Sequence, residues 1–366
     1  MKQIPLHALH VSLGAKIVPF GGFEMPVRYS SDLDEHHTVR NSVGVFDVSH
    51  MGEFLVTGQG ALNFIQHISA NDASVLKDGK VQYSYLPNER GGVVDDLLIY
   101  RFSENKYLLV VNASNIEKDW EWISRFKPDD ATLTNLSDQT CLFAVQGPKA
   151  ATVVQKLTDI SLSAMEYYSF AKGTLAGIDD VIVSATGYTG AGGYEIYVNK
   201  AHAESVWTAI FEAGEEFGIK PIGLGARDTL RLEMGYCLYG NDISDNTSPL
   251  EAGLGWVTKF TKPFVGSEIL LAQKSEGLKN KLVGLELLER GIPRPHYEVT
   301  NADGNKLGEV TSGTHSPTLQ KGVALAYVPA ACAKPGTELF IKVRERLFKA
   351  RVVRLPFVKT PDQDPA

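Results

Sequence analysis

Apolar residues recur along this chain at two different periods, and the period at each stretch indicates the element it forms. DLDEHHTVRNSV reads as an early helix, with Ser31 as its N-cap and Gly44 as its terminator. VFDV and EFLVTG follow as strands, and ALNFIQHI as a helix. VQYSYLPN and VVDDLLIYRF form a hairpin across Glu89-Arg90-Gly91-Gly92, whose glycines supply the positive φ such a turn needs. YLLVVN comes next, after the polar turn SENK, and strands joined by turns this tight are antiparallel. Ser114, with Glu117 three residues on, reads as a capping box that opens a helix through Trp120 and Ile123. A later helix carries Val206, Ile210, Ala213 and Phe217 on one face.

Beyond the helical stretch GSEILLAQKSEG the pattern changes. LVGLELL, GEVTSG, VALAYV, ELFIKV and LFKARVV are five short strands with Gly and Pro turns between them, which predicts a separate small antiparallel barrel. The fold class is therefore α+β with a C-terminal antiparallel β-barrel.

Composition narrows the chemistry. A length of 366 residues allows two or three domains, each with a sizeable core. The net charge of -7 gives no general attraction to nucleic acid or to an anionic membrane, so an anionic ligand needs a local positive field. Cys141, Cys237 and Cys332 lie far apart and form no CxxC pair, which excludes a cysteine zinc site and a disulfide framework and fits a reducing compartment. Each reads most simply as a small buried apolar residue. No apolar run approaches the roughly 18 residues that cross a bilayer. The opening MKQIPLHALHVSLGAK has proline and histidines where a signal peptide is apolar, so a cytoplasmic protein is expected.

G-x-G-x-x-G after a strand, G-x-x-x-x-G-K-[ST], H-E-x-x-H and G-x-S-x-G are all missing, which argues against nucleotide binding, zinc proteolysis and serine hydrolysis by their common routes. His36 and His37 are neighbours, so on a helix they point about 100° apart and cannot share a metal; a solvated helix face is expected for them. Ser49-His50 resembles a nucleophile and its base, but neighbours on a strand face opposite ways.

Three features remain. Asp95-Asp96 lies within the apolar strand VVDDLLIY. The plain reading is a solvated pair beside a turn. The sharper one turns Asp96 inward with Val94, Leu98 and Tyr100 and leaves Asp95 facing solvent, and an inward carboxylate requires a cation or donor to meet it. GYTGAGGYEIYV (187–198) is a glycine-rich turn feeding a strand with Glu195, either a mobile hairpin or a loop whose missing side chains admit a ligand to the backbone. PIGLGARDTLRLEMG (221–235) puts Arg227 in the first turn of a helix, where it forms either a weak surface ion pair or an anion site.

The wording and order of these segments are more specific than any one of them. NERGGVVDDLLIYR, GVFDVSHMGEF, VPFGGFEMPVRYSS, GYTGAGGYEIYV, PIGLGARDTLRLEMGYCLYGNDI, PLEAGLGWVTKF, KLVGLELLERGIPRPHYEV and GEVTSGTHSPTLQKGVALAYVP together resemble the glycine cleavage T-protein family over essentially the whole chain. The resemblance implies a three-lobed fold around tetrahydrofolate. It sets a folate-binding region at residues 1–260, with a second lobe at about 52–138 inserted in the first, and a linker helix with the barrel at 261–366. It also implies the reaction: a one-carbon unit passes from the aminomethyl-lipoyl arm of H-protein to tetrahydrofolate, releasing ammonia, with no metal or nucleotide required and no nucleic acid or membrane as partner.

Carried over residue by residue, Asp96 matches the family's essential aspartate. Glu195 and Arg227 match folate-contacting positions, and Tyr188, Tyr83, Asn112 and Met51 match pocket-lining ones. Asp95, Tyr168 and Arg294 are secondary candidates. A carboxylate at Glu195 can accept the guanidine-like edge of a pterin in bidentate fashion, and one at Asp96 can stabilise an iminium-like cation. The chain departs from the expected pattern at Ala191 and Gly192, where acidic residues are expected, and at Pro295-His296, where a small residue should follow Arg294. The rivals on the same fold are a folate-binding helper of iron–sulfur or tRNA-modifying enzymes and the folate domain of a sarcosine or dimethylglycine oxidase. A non-enzymatic folate-binding scaffold is the rival of a different class. Cys332, in VPAACAKPG, lacks the cysteine motif of the first, and the absent dinucleotide fingerprint argues against the second.

Overall fold

A computed structural model describes residues 1–359. The chain divides into two compact units, one made of residues 1–84 and 96–227, the other of residues 85–95 and 228 onward. The chain opens with β1 (Lys2–Gln3), α1 (His7–Ser12), β2 (Lys16–Phe20) and β3 (Phe23–Arg28), whose strands make a small sheet. Next come α2 (Asp32–Asn41), β4 (Gly44–Asp47), β5 (Gly52–Thr57) and α3 (Ala61–Ile68). β6 (Lys80–Pro87), β7 (Val93–Ser103) and β8 (Lys106–Val111) follow, then α4 (Ile116–Ser124), β9 (Thr132–Asn135) and β10 (Thr140–Gln146). After α5 (Ala150–Gln155), β11 (Phe170–Leu175) and β12 (Ile178–Ser184) lead to β13 (Gly193–Asn199), α6 (Ala203–Gly214), β14 (Lys220–Pro221) and α7 (Leu224–Glu233).

These strands build two larger sheets, β11-β12-β13-β10-β4-β14 and β6-β7-β8-β5-β9. The first packs Val45, Phe143, Val145, Val183, Ile196 and Val198 against Val206, Trp207 and Ile210 of α6, as the helical spacing of that apolar stripe requires. α3 buries Ala61, Phe64, Ile65 and Ile68, again one face at helical spacing.

Several local expectations are corrected. Ser31 caps α2 by accepting from Asp34 N, but the helix ends at Ser42; Gly44 is the first residue of β4, where a Cβ would lie 2.3 Å from Ile222. Ser114 caps nothing, because a 3-10 turn at Ala113–Asn115 occupies the place and α4 starts after Asn115 without a side-chain cap. His36 is buried with Glu35 and Val39 on α2 rather than solvated. Cys141 is buried, whereas Cys237 and Cys332 are only half-buried.

The second unit contains α8 (Ser267–Glu276) and a closed barrel of β15 (Asn280–Leu287), β16 (Glu298–Thr300), β17 (Lys306–Ser316), β18 (Lys321–Pro329), β19 (Glu338–Val343) and β20 (Arg346–Val353). Every second residue fills it: Val283, Leu285 and Leu287 face Ala324, Ala326 and Val328, with Leu339, Ile341, Ala350 and Val352 completing the core. The barrel has six strands, not five. Three-residue β16 bridges β17 and β19, too short to show an alternation, and without it two edges would stay open. Among the described residues no helix is long and apolar enough to cross a membrane.

Arg231 on α7 is buried in this unit. It donates to Asp242 Oδ2 at 2.9 Å, to Ser312 Oγ at 2.8 Å and to Asp228 Oδ1 at 2.8 Å. Asp242 is fully buried and also accepts from Leu238 N at 2.8 Å and Thr311 Oγ1 at 2.5 Å. Removing one member of a buried ion pair strands the other charge, so Asp242→Ala is expected to lose about 3–5 kcal/mol of stability in urea unfolding. A loss below about 1 kcal/mol, the range of exposed pairs, would contradict the anchoring role.

Candidate active site

Three neighbouring strands of the five-stranded sheet converge on one carboxylate. Asp96 sits on β7 between β6 and β8, and is half-buried. Tyr83 on β6 donates its hydroxyl to Asp96 Oδ2 at 2.9 Å. Asn112 lies one step beyond the pairing of Leu97 with Val111; its Nδ2 donates to Asp96 Oδ1 at 2.8 Å and to the Asp96 carbonyl at 3.2 Å. Each carboxylate oxygen thus accepts from a neutral donor. Asp95 is not the solvent-facing neighbour that strand periodicity predicts: it is fully buried and belongs to the second unit. β7 is covered on both faces, since Val93, Val94, Leu97, Ile99 and Tyr100 are buried as well.

Tyr100 shares a face of β7 with Asp96, about 13 Å further along at ordinary strand rise. Its hydroxyl lies 2.8 Å from that of Tyr197 and 3.1 Å from Ser184 Oγ. Ser184 Oγ lies 2.9 Å from Thr186 Oγ1, which donates a short hydrogen bond to Glu195 Oε2. Glu195 is on β13, paired with Ser184 of β12 and Ala144 of β10. Burial raises its carboxyl above the usual value of 4.5, opposed by the Thr186 hydrogen bond and the charge of Arg227. The Arg227 guanidinium lies 4.6 Å from the ring centroid of Tyr188, a cation–π contact. Burial, helped by the same cation, pushes the imidazole of His50 down to about 3. Glu195, Arg227, Tyr188 and His50 therefore share one electrostatic neighbourhood.

His50 and Ser49 lie in a turn, not on a strand. Ser49 Oγ donates to Asp47 Oδ1 at 2.5 Å and accepts from Leu142 N at 3.0 Å, while His50 packs edge-on to Phe20 at 5.6 Å. The serine is held by the aspartate two residues back and makes no nucleophile–base pair. In the glycine-rich loop after β12 the glycines serve packing against the protein itself. A Cβ on Gly187 would lie 2.0 Å from Gln146 Oε1, and one on Gly193, at φ 129°, would lie 2.2 Å from the Val145 carbonyl.

Met51 is half-buried in the turn before β5. Tyr168 is half-buried with a left-handed φ of 62°, its ring edge-on to Tyr167 and its carbonyl accepting from Val81 N at 2.9 Å. Arg294 is exposed and belongs to the second unit, between β15 and β16. Thr186, Ser184, Tyr100 and Tyr197 escaped sequence reasoning: no spacing connects a tyrosine on β7 with a glutamate 95 positions later. Among the described residues no group of three or more His, Cys, Asp or Glu side chains is placed to hold a metal.

With this geometry in hand, comparison with known proteins is informative. Residues 6–262 match the GCVT N-terminal domain family, and residues 280–359 match the glycine cleavage T-protein C-terminal barrel domain. The chain is 58% identical to an aminomethyltransferase of Flavobacterium psychrophilum, covering 98% of this chain and 100% of that one. It is 49% identical to one of Halothermothrix orenii over the same shares. The crystal structure of the glycine cleavage system aminomethyltransferase T of Bartonella henselae superposes with a TM-score of 0.91 at 34% identity, covering 98% of each chain. A matching pair of domain families and full-length relatives at this identity leave one conclusion: the chain belongs to the glycine cleavage T-protein family of aminomethyltransferases.

Proposed function

We propose that the chain moves a one-carbon unit from the aminomethyl-lipoyl arm of H-protein to tetrahydrofolate, releasing ammonia and forming 5,10-methylenetetrahydrofolate. The observation that carries this reading is the Asp96 carboxylate, met on both oxygens by Tyr83 and Asn112 from the two flanking strands. Transfer takes the methylene carbon from the sulfur and nitrogen of the carrier to two folate nitrogens, and positive charge develops on the way. A fixed anion stabilises that charge, and donors on adjacent strands keep it fixed without neutralising it. Glu195 receives the donor edge of the pterin, and Arg227 with Tyr188 flanks it. Met51 and Tyr168 are assigned to the lining of the same pocket, and Arg294 is kept as a secondary contact. The setting is cytoplasmic, in keeping with three free cysteines. Ammonia release from aminomethylated H-protein in the presence of tetrahydrofolate tests the whole reading; folate binding without ammonia release would favour a non-enzymatic scaffold.

Asp96→Asn preserves size but removes the charge, so it is expected to lower kcat by about 10²–10³ while tetrahydrofolate affinity changes little. Equal losses of affinity and turnover in calorimetry and steady-state kinetics would assign Asp96 to binding instead. Asp95→Asn, at a fully buried position, is expected to lower stability in urea unfolding rather than kcat.

Glu195 generates a pH prediction. Its pterin-accepting form is the ionised one, and its pKa is raised by burial. Folate affinity is therefore present above that raised value and is lost as the pH falls through it. Glu195→Gln turns one acceptor into a donor facing a donor edge, costing about 1–3 kcal/mol, or about 5- to 150-fold in Kd, and it should abolish this pH dependence. A pH profile unchanged in Glu195→Gln would remove Glu195 from the pterin contact.

A further inference from the structure

Helix α2 carries no residue of the proposed site, yet it grips both partners of the Arg227–Tyr188 contact. Glu35 is fully buried on α2. Its Oε1 accepts from Tyr29 N at 2.7 Å and Ser30 N at 2.8 Å, and its Oε2 accepts from Gly223 N at 2.7 Å. The Gly223 carbonyl in turn accepts from Arg227 N at 3.2 Å, the hydrogen bond that starts α7. Gly223 packs directly on the chain before α2, since a Cβ there would lie 2.3 Å from the Val27 backbone. Five residues along α2 from Glu35, Arg40 Nη1 donates to the Thr189 carbonyl at 2.5 Å. Thr189 follows Tyr188, and its hydroxyl donates to Gln146 Oε1 at 2.8 Å. One rigid helix thus holds the start of the helix bearing the guanidinium and the loop bearing the ring beneath it.

We infer that Glu35 and Arg40 are positioning residues that set the spacing of Arg227 and Tyr188, and through it the affinity for the folate co-substrate. The inference rests on the folate reading of the Arg227 site. A charged hydrogen bond to a backbone carbonyl is worth more than a neutral one, and its loss frees the loop rather than the chemistry. The consequence falls on binding: a cation displaced by an ångström loses contact with ligand in ground state and transition state alike, raising KM without changing kcat.

The test combines Arg40→Met, Arg40→Lys and Glu35→Gln with a ligand-independent readout. Arg40→Met and Glu35→Gln are expected to raise the Kd and KM for tetrahydrofolate about tenfold with kcat within about twofold, and Arg40→Lys, which keeps a cationic donor, to restore much of the loss. In an Arg227→Met background, Arg40→Met should add nothing further, since the group it positions is gone. Hydrogen exchange of the Arg227 amide should quicken in Glu35→Gln, and that of Thr189 in Arg40→Met. Unchanged affinity and exchange in both variants, or an Arg40→Met effect that persists undiminished without Arg227, would overturn the inference. The exchange measurement needs no folate, so it decides the positioning even if wild-type protein fails to bind tetrahydrofolate, a result that would sink the folate reading alone.

Discussion

A carboxylate taken out of water loses several kcal/mol of solvation unless donors replace what water supplied. The first unit buries or half-buries several, and each one dictates which segments must meet around it. Glu35 gathers three backbone N–H groups from two separate stretches of chain. Asp47, buried on β4, is met by the Ser49 hydroxyl and by His10 Nε2 at 2.8 Å, whose other nitrogen lies 2.9 Å from the Tyr29 hydroxyl. Asp96 draws on both flanking strands, and Glu195 on the hydroxyl just past β12. The acids are thereby joints of the fold: satisfying them fixes α2 to the start of α7 and β6 to the end of β8 across β7.

How each acid is met also sets what it can do. Asp96 accepts from the neutral donors Tyr83 and Asn112, which fix its orientation without cancelling its charge. Glu195 is balanced differently, with burial favouring the proton while Thr186 and Arg227 favour its loss. A ligand that brings donor groups to Glu195 tips that balance toward the ionised form. Placing both on β-strands, with side chains locked by cross-strand partners, keeps them in fixed geometry more firmly than loops would.

Much of this was legible from periodicity. The hairpin of β6 and β7, the apolar stripe of α3 and the alternation of five barrel strands follow from spacing alone. What failed did so for identifiable reasons. Period-two reasoning assumes one wet face, and β7 has none, so Asp95 was misplaced. The Ser114 capping box obeys the local rule but loses to a 3-10 turn that places the serine inside the turn. β16 is three residues long and exists only because two neighbouring strands need a partner. The hydroxyls around Glu195 come from β7, β12, the loop just past β12 and β13, and contacts made by strand order in a sheet leave no mark in local spacing.

Glu53 shows what happens where the constraint is not met. It is buried on β5, opposite Val110 of β8, and neither carboxylate oxygen has a hydrogen-bond partner among the described residues. Burial pushes its carboxyl well above the usual range for a glutamate. Three acids of the first unit, all within strands, therefore sit in three environments: burial pushes Glu53 toward its neutral form, burial of Glu195 is opposed by the Thr186 hydroxyl and the charge of Arg227, and Asp96 accepts from Tyr83 and Asn112. Environments that differ in this way give equivalent carboxyls different electrostatics within a single sheet-based unit. The donors, rather than the acids themselves, make that difference, because each carboxyl differs from the next chiefly in what its neighbours offer it.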